Sequence, residues 1–288
     1  MSRPVDALID FLRTEEARGI THVHLDEESR QVLRDLNARS KRPTGAAVPT
    51  TVASVERPSI SLAAAPASKP SAAPTELRIE GDTPAEQIDS LRRQAETWAP
   101  ALSLGTLKST MVFSVGDPEA EIMLVGEAPG YQEERQKEPF VGPAGQKLTD
   151  ILKAMGLTRE QVYISNLVKF RPSMPGQTTN NRPPTDEEMA SCLPFIRAEI
   201  SVVKPSCIIA LGGTAAKGLL NSDDAVTKLR GSWHEFAGVP VRVTYHPSYL
   251  LRGTSGNDDK RKVWEDMLAV MELLAMRISE KQRGYFSK

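Results

Sequence analysis

The sequence contains few of the residues on which several protein classes depend. Of its 288 residues only Cys192 and Cys207 are cysteines, too few for a disulfide framework or for a metal site built from four thiolates. No apolar run approaches the roughly 20 residues that a membrane-spanning helix needs, and the amino terminus has no signal-peptide apolar region. We therefore expect a cytoplasmic protein that has no membrane partner.

The chain also lacks an excess of charge of either sign. Its 36 basic and 37 acidic side chains leave a formal net charge of −1, which excludes a strongly basic protein. Contact with nucleic acid would therefore have to depend on local basic patches. Hydrophobic residues make up 40% of the chain, which at this length is enough for one sizeable core with additional segments.

Composition divides the chain into three parts. Residues 1–40 carry apolar residues at helical spacing and predict an amphipathic helical segment, which either packs on the domain or binds an unknown partner. Residues 41–75 are rich in Ala, Pro and Ser and predict a disordered linker, because such a segment buries too little apolar surface to offset the entropy of ordering. We expect the folded domain to cover residues 76–288.

Four apolar runs that alternate with helical patterns predict the fold of this domain. The runs are 122–125, 162–168, 207–211 and 239–245, and turn residues follow each of them. Strands that alternate with helices through short connections form parallel sheets covered on both faces. The sequence thus predicts an α/β fold, a three-layer α/β/α domain with a central four-stranded, mainly parallel sheet.

Four residues whose side chains could take part in binding or catalysis lie at or beyond the ends of these strands. Glu127 belongs to the turn 126–130 (GEAPG), Phe140 follows it, Asn166 lies in the second strand, and His246 follows the fourth. Because ligands bind beyond the carboxyl ends of parallel strands, we expect the four side chains to line one site. Each also has an ordinary structural explanation, such as a turn for Glu127 or core packing for Phe140.

Four motifs in this order resemble those of family 4 uracil-DNA glycosylases. They are 126–130 (GEAPG), 139–142 (PFVG), 166–169 (NLVK) and 246–252 (HPSYLLR), and the resemblance covers roughly residues 90–275. It implies a monofunctional DNA glycosylase of base excision repair, which hydrolyses the bond between uracil and deoxyribose after the base has flipped out of the duplex. The alternative is a non-catalytic protein that binds uracil or single-stranded DNA.

The chemistry of uracil excision, together with this resemblance, suggests roles for five residues. Glu127 would orient the attacking water or stabilise the sugar cation, and His246 would donate to the uracil oxygen that gains charge. Asn166 would recognise the pyrimidine edge, and Phe140 would stack on the flipped base. By resemblance, Glu133 would crowd the 5-methyl group of thymine, although a solvated loop charge explains it equally well.

Further candidates flank these residues. Those expected to complete the base pocket are Gly126, Ala128 and Ser248. Those expected to contact DNA are Lys169, Leu250, Leu251 and Arg252. The two leucines would act as an apolar wedge that fills the space left by the base, and Arg252 would contact a phosphate. The leucines fit the first turn of a packed helix equally well.

Family 4 uracil-DNA glycosylases typically hold a 4Fe–4S cluster on four cysteines, and this sequence departs from that pattern. Cys192 matches one ligand, Phe170 stands at the position of another, and the paired positions near 99–102 contain no cysteine. One thiolate cannot hold a four-iron cluster, so we expect no iron–sulfur centre, no other metal site and no cofactor. The expected partner is uracil-containing DNA, bound by a monomer.

Overall fold

The computed structural model describes residues 76–251 and 256–286. The expected helical segment at 1–40, the expected linker at 41–75 and the candidate residue Arg252 lie outside the described residues. Among the helices of the described ranges, none combines the length and the apolar character needed to cross a membrane.

A six-stranded sheet, whose four inner strands are parallel, forms the centre of the fold. In chain order the strands are β1 (Leu107–Met111), β2 (Val115–Gly116), β3 (Ile122–Gly126), β4 (Tyr163–Asn166), β5 (Phe170–Pro172), β6 (Cys207–Leu211), β7 (Trp233–Phe236) and β8 (Val239–Thr244). Across the large sheet the order is β2-β4-β3-β6-β8-β7, and the edge strands β2 and β7 are antiparallel to their neighbours. Strands β1 and β5 form a separate two-stranded antiparallel sheet.

The prediction of a mainly parallel four-stranded sheet is confirmed for the inner strands β4, β3, β6 and β8. The structure adds β2 and β7, which the sequence pattern did not indicate. Strand β2 has only two residues, and β7 is largely exposed, so neither forms an apolar run. The second predicted strand, 162–168, is shorter in the structure, because the chain turns after Asn166.

Helices cover both faces of the sheet, which confirms the three-layer α/β/α arrangement. The helices are α1 (Pro84–Glu96), α2 (Ala99–Leu102), α3 (Tyr131–Gln136), α4 (Pro143–Met155), α5 (Asp186–Val203), α6 (Gly213–Leu220), α7 (Val226–Leu229), α8 (Asn257–Leu273) and α9 (Glu280–Arg283). Buried residues of α1, α5 and α6 form one core cluster with one face of the sheet, and those of α4 and α8 form a second cluster with the other.

The strands are apolar at successive positions because both of their faces are buried. In β3, Met123 and Val125 belong to the cluster on the α5 side, whereas Ile122 and Leu124 belong to the cluster on the α4 side. Every residue of β3 and of β6 is buried. Polar side chains on these strands are therefore confined to the ends, and the carboxyl ends are where the candidate site residues lie.

Helix α5 is held at its start by local hydrogen bonds and continues through a proline. The Thr185 hydroxyl accepts from the Glu188 backbone N–H, and the Glu188 carboxylate accepts from the Thr185 backbone N–H. Pro194 lies inside the helix, which continues past it to Val203. Pro194 and Ala190, whose carbonyl would otherwise bond to residue 194, both lie on the exposed side, where water can satisfy that carbonyl.

We predict that the Phe195→Ala substitution lowers the free energy of unfolding by about 3–5 kcal/mol, because it leaves a cavity in the larger core cluster. The Phe195 ring is fully buried and lies edge-on to Trp98, with ring centroids 5.0 Å apart. Urea denaturation of both proteins measures the difference. Ser201→Ala, at an exposed position of the same helix, serves as the control and is expected to change stability by less than about 0.5 kcal/mol.

Candidate active site

Beyond the carboxyl ends of the parallel strands lies a pocket of about 410 Å³. Seven of the candidate residues line it: Glu127, Ala128, Glu133, Phe140, Asn166, His246 and Ser248. They come from four separate stretches of the chain, and the sheet brings these stretches together because its inner strands all end on the same side.

Glu127 follows directly after β3 and is held by its main chain and its side chain. Its backbone carbonyl accepts a hydrogen bond from the Val168 N–H at 3.1 Å. Burial raises the pKa of the Glu127 carboxyl above its ordinary value, and a hydrogen bond with Thr214, in the first turn of α6, acts in the opposite direction. The carboxylate therefore faces the pocket from a fixed position and is protonated more readily than an exposed one.

His246 is held by the residue two positions further along the chain. The Ser248 backbone N–H donates to Nδ1 of the His246 ring at 3.2 Å, and the Ser248 hydroxyl lies 2.7 Å from the same atom. Because Nδ1 accepts from a backbone N–H, the proton of the neutral ring is assigned to Nε2. Burial lowers the pKa of His246 to about 4. At neutral pH the ring is thus an uncharged hydrogen-bond donor through Nε2.

Asn166, Phe140 and Gly126 pack together at the base of the pocket. The side chains of Asn166 and Phe140 are 2% and 6% exposed, and a Cβ atom added to Gly126 would overlap both. Only a glycine at this position lets the amide and the ring approach the end of β3 so closely. Gly126 therefore contributes to the pocket indirectly, because its lack of a side chain leaves room for Asn166 and Phe140.

The backbone of Phe140 adopts a left-handed conformation, with φ of 56°. Such a conformation is uncommon for a residue with a bulky side chain and persists only when its surroundings enforce it. Here the Arg159 guanidinium donates to the carbonyl oxygens of Pro139 and Phe140 at 2.8 and 3.1 Å. The Phe140 ring lies 5.9 Å from the His246 ring, centroid to centroid. Phe140 is thus both buried and held at the pocket wall.

Glu133 is tied to the pocket wall, which argues against a freely solvated loop charge. Its Oε1 accepts a hydrogen bond from the Gly142 N–H at 3.1 Å, at the start of α4. Asn181 also lines the pocket, beside Gly130, and its side-chain oxygen accepts from the Arg171 guanidinium at 2.9 Å. Sequence reasoning missed Asn181 because a polar residue in a long polar loop carries no signal of its own.

The assignment of Lys169 to DNA contact is wrong. Its side chain is 0% exposed, and its ammonium lies 2.8 Å from the Glu199 carboxylate, on the face of the sheet that α5 covers. Burial lowers the pKa of Lys169, while the neighbouring Glu199 acts in the opposite direction. An ammonium sealed in the core cannot reach a phosphate outside it.

The two candidate wedge residues lie in a short 3₁₀ helix, Pro247–Leu251, directly after His246. Leu251 is 47% exposed, whereas Leu250 is half-buried and lines a neighbouring apolar groove with Trp264. The two leucines end this short helix and do not belong to the first turn of the next long one, because α8 begins at Asn257. Leu251 is therefore accessible to solvent, three positions beyond Ser248, which lines the pocket.

Cys192, the one residue that matches a cluster ligand, lies in a packed part of the core. Cys192 and Phe170 are fully buried, and the Trp98 indole N–H donates to the Ser191 carbonyl at 2.7 Å. Burial raises the pKa of the Cys192 thiol, which keeps it protonated. Within the described ranges no group of three or more His, Cys, Asp or Glu side chains is placed to hold a metal ion. One thiol among apolar rings does not fit the donor set of a 4Fe–4S cluster.

Comparison with known proteins gives a consistent set of similarities. The model of the Uracil DNA glycosylase superfamily matches residues 113–268. A type-4 uracil-DNA glycosylase of Thermotoga maritima is 42% identical over 162 residues, which are 56% of this chain and 81% of that protein. The type-4 uracil-DNA glycosylase of Archaeoglobus fulgidus is 37% identical over 174 residues, covering 58% of this chain and 84% of that protein. A third, from Sulfurisphaera tokodaii, is 35% identical over 192 residues, covering 64% and 83% respectively.

We predict that the His246 ring stays neutral throughout the physiological pH range. Because its pKa is lowered to about 4, protonation occurs only as the pH falls through that value. The chemical shifts of the His246 ring, followed by NMR, should be constant between about pH 6 and 8, where an unperturbed histidine titrates. A titration midpoint at about 6.5, the ordinary pKa of histidine, would contradict the lowered pKa of His246.

Proposed function

Because this chain belongs to the uracil DNA glycosylase superfamily, we propose that it hydrolyses the N-glycosidic bond between uracil and deoxyribose in DNA. It would act as a monofunctional DNA glycosylase in base excision repair, on a base flipped out of the DNA stack. The observation that carries this proposal is the meeting of Glu127, Asn166 and His246 around one pocket that also contains the Phe140 ring.

Cleavage of this bond separates charge, and the pocket offers one group for each sign. As the bond to the base breaks, negative charge develops on the uracil oxygens and positive charge on the sugar. The neutral His246, protonated at Nε2, would donate a hydrogen bond to the uracil oxygen that gains charge. The Glu127 carboxylate would stabilise the sugar cation and orient the water that adds to the sugar carbon. The products are free uracil and an abasic site.

Recognition of the base would depend on the Asn166 amide and the Phe140 ring. Uracil presents one N–H donor beside a carbonyl acceptor, and a planar amide pairs with both through its oxygen and its NH₂ group. Cytosine presents the opposite pattern, so an amide that cannot rotate discriminates against it. The Phe140 ring offers a stacking surface. Glu133, tied to Gly142, is in our proposal the group that crowds the 5-methyl group of thymine.

The surrounding candidates would support the base and the strand. Ser248 holds the His246 ring, Gly126 leaves room for Asn166, and Ala128 forms part of the wall. The exposed Leu251, with Leu250 beside it, would fill the space that the flipped base leaves, and Arg252 would contact a phosphate. The acting unit in this proposal is a cytoplasmic monomer whose catalytic domain spans residues 76–288, preceded by a linker at 41–75 and a helical segment at 1–40.

We predict that Glu127→Gln and His246→Gln each lower the rate of uracil release by about 10²- to 10³-fold, because each removes a group that acts on charge in the transition state. A labelled oligonucleotide with a single uracil, treated with alkali after incubation, measures the abasic product. The wild-type rate should also fall as the pH drops through the raised pKa of Glu127, and this decline should be absent in Glu127→Gln.

Two outcomes of that assay would contradict the proposal in different ways. If the wild-type protein binds the oligonucleotide without releasing uracil, the chain is a non-catalytic uracil- or DNA-binding protein. If release occurs but both variants retain the wild-type rate, the activity stands and the two assigned roles are wrong. Ser201→Ala, on the opposite face of the domain from α4, is a control and should act at the wild-type rate.

We also propose that the domain works without an iron–sulfur cluster, since Cys192 is packed among apolar side chains that include Phe170. Protein purified without oxygen should therefore contain no stoichiometric iron and show no visible absorbance. Cys192→Ala should retain the wild-type rate of uracil release, because it removes only a small buried group. Stoichiometric iron that disappears in Cys192→Ala would overturn this proposal.

A further inference from the structure

A fully buried ion pair lies directly behind the strand that carries Asn166. Lys169 and Glu199 are both 0% exposed, and their charged atoms are 2.8 Å apart. The Glu199 carboxylate also accepts from the Ser165 hydroxyl at 3.0 Å and from the Tyr163 hydroxyl at 3.3 Å. Two charges lose much of their hydration in such a site, and apolar side chains often stabilise a core equally well. Stability alone is therefore a poor explanation for this pair.

The Lys169 ammonium makes one contact that leads to the active site. Besides Glu199, it donates to the Ser165 hydroxyl at 2.6 Å and to the backbone carbonyl of Asn166 at 3.0 Å. An ammonium has three N–H donors and no acceptor. Here its acceptors are a carboxylate, a hydroxyl and a backbone carbonyl, so all three donors can be satisfied. The side chain thus folds back onto the residue three positions earlier in the chain, at the end of β4.

The turn that contains this contact is held tightly on its other sides. The N–H groups of Leu167 and Val168 donate to the carbonyls of Gly126 and Glu127, at 3.0 and 3.1 Å. The Lys169 carbonyl accepts from the Val112 N–H at 2.8 Å. The Lys169 ammonium binds the backbone carbonyl of Asn166 in this turn. The side chain of the same residue, Asn166, lines the pocket.

We propose that Lys169 is a positioning residue that fixes the main chain of Asn166 and thereby the orientation of the base-recognising amide. This inference rests on the proposed function. An amide separates uracil from cytosine only if it cannot turn over, and Gly126 and Phe140 restrict the side chain from the pocket side. Lys169 restricts the main chain from the opposite face, and Glu199 holds the ammonium in place.

The double variant Lys169→Met/Glu199→Gln tests this role without leaving a lone buried charge. The Met side chain is close in length to Lys, and the Gln amide can still accept from Ser165 and Tyr163. We expect a urea midpoint close to that of the wild type and a fall in kcat/KM for a uracil-containing oligonucleotide of about 10- to 100-fold, as for other small misplacements of a recognising group. If this variant does not fold, Lys169→Gln/Glu199→Gln replaces it.

A double-mutant cycle with Asn166→Ala separates positioning from a general loss of structure. If Lys169 acts through Asn166, the Lys169/Glu199 changes should lower kcat/KM by less than about threefold once the Asn166 amide has been removed. Tyr163→Phe is the matched control, since it removes a hydrogen bond to Glu199 on the side away from Asn166, and it should keep the wild-type kcat/KM. Equal losses with and without Asn166, or an equal loss in Tyr163→Phe, would overturn the inference.

Hydrogen exchange provides a readout that does not depend on catalysis. The Leu167 and Val168 amides should exchange faster in the Lys169/Glu199 variant, whereas the Ile209 amide in β6 should be unchanged. If the wild type releases no uracil but these two amides exchange faster in the variant, the proposed function fails and the main-chain role of Lys169 stands. If the wild type releases uracil, and the variant releases it at the wild-type rate with unchanged exchange of the Leu167 and Val168 amides, the positioning inference fails and the proposed function stands.

Discussion

Burial of the two central strands, β3 and β6, on both faces is the constraint on which the rest of the molecule depends. Every residue of Ile122–Gly126 and of Cys207–Leu211 is buried between two layers of helices. An unpaired polar group in such a strand would lose its hydration without compensation. Polar groups that face a ligand are therefore confined to the strand ends, and the parallel arrangement places the carboxyl ends of four strands along one edge.

The same burial sets the protonation behaviour of the pocket. It raises the pKa of Glu127 and lowers the pKa of His246, so both groups are shifted toward their neutral forms. For the proposed reaction the two shifts have different consequences. A neutral His246 is a ready hydrogen-bond donor at physiological pH, whereas Glu127 has to be ionised to stabilise a cation. Its hydrogen bond with Thr214 opposes the effect of burial and favours the ionised form.

On the face of the sheet opposite α4, the apolar core contains a fully buried ion pair, Lys169–Glu199. Around Cys192, the rings of Trp98, Phe170 and Phe195 contribute to one cluster, which is consistent with our proposal that packing supports the domain without a metal cluster. The Lys169 backbone lies beside Cys192, and its side chain continues to Glu199 and to the Asn166 carbonyl. Core packing and the orientation of Asn166 are thus connected through one residue.

The sequence by itself determined the four inner strands and their parallel arrangement, because apolar runs and turn motifs are local signals. It also identified, through its motifs, seven of the residues that line the pocket, but not Asn181. It gave no signal for β2 and β7, which are short or exposed, or for the left-handed backbone of Phe140, which Arg159 enforces from 19 positions away. Lys169 was assigned to DNA contact because a basic side chain can pair with phosphate. Only the tertiary structure placed it in the core. Its partner Glu199 is 30 positions away in the chain and belongs to α5, which packs on the face of the sheet where the Lys169 ammonium lies.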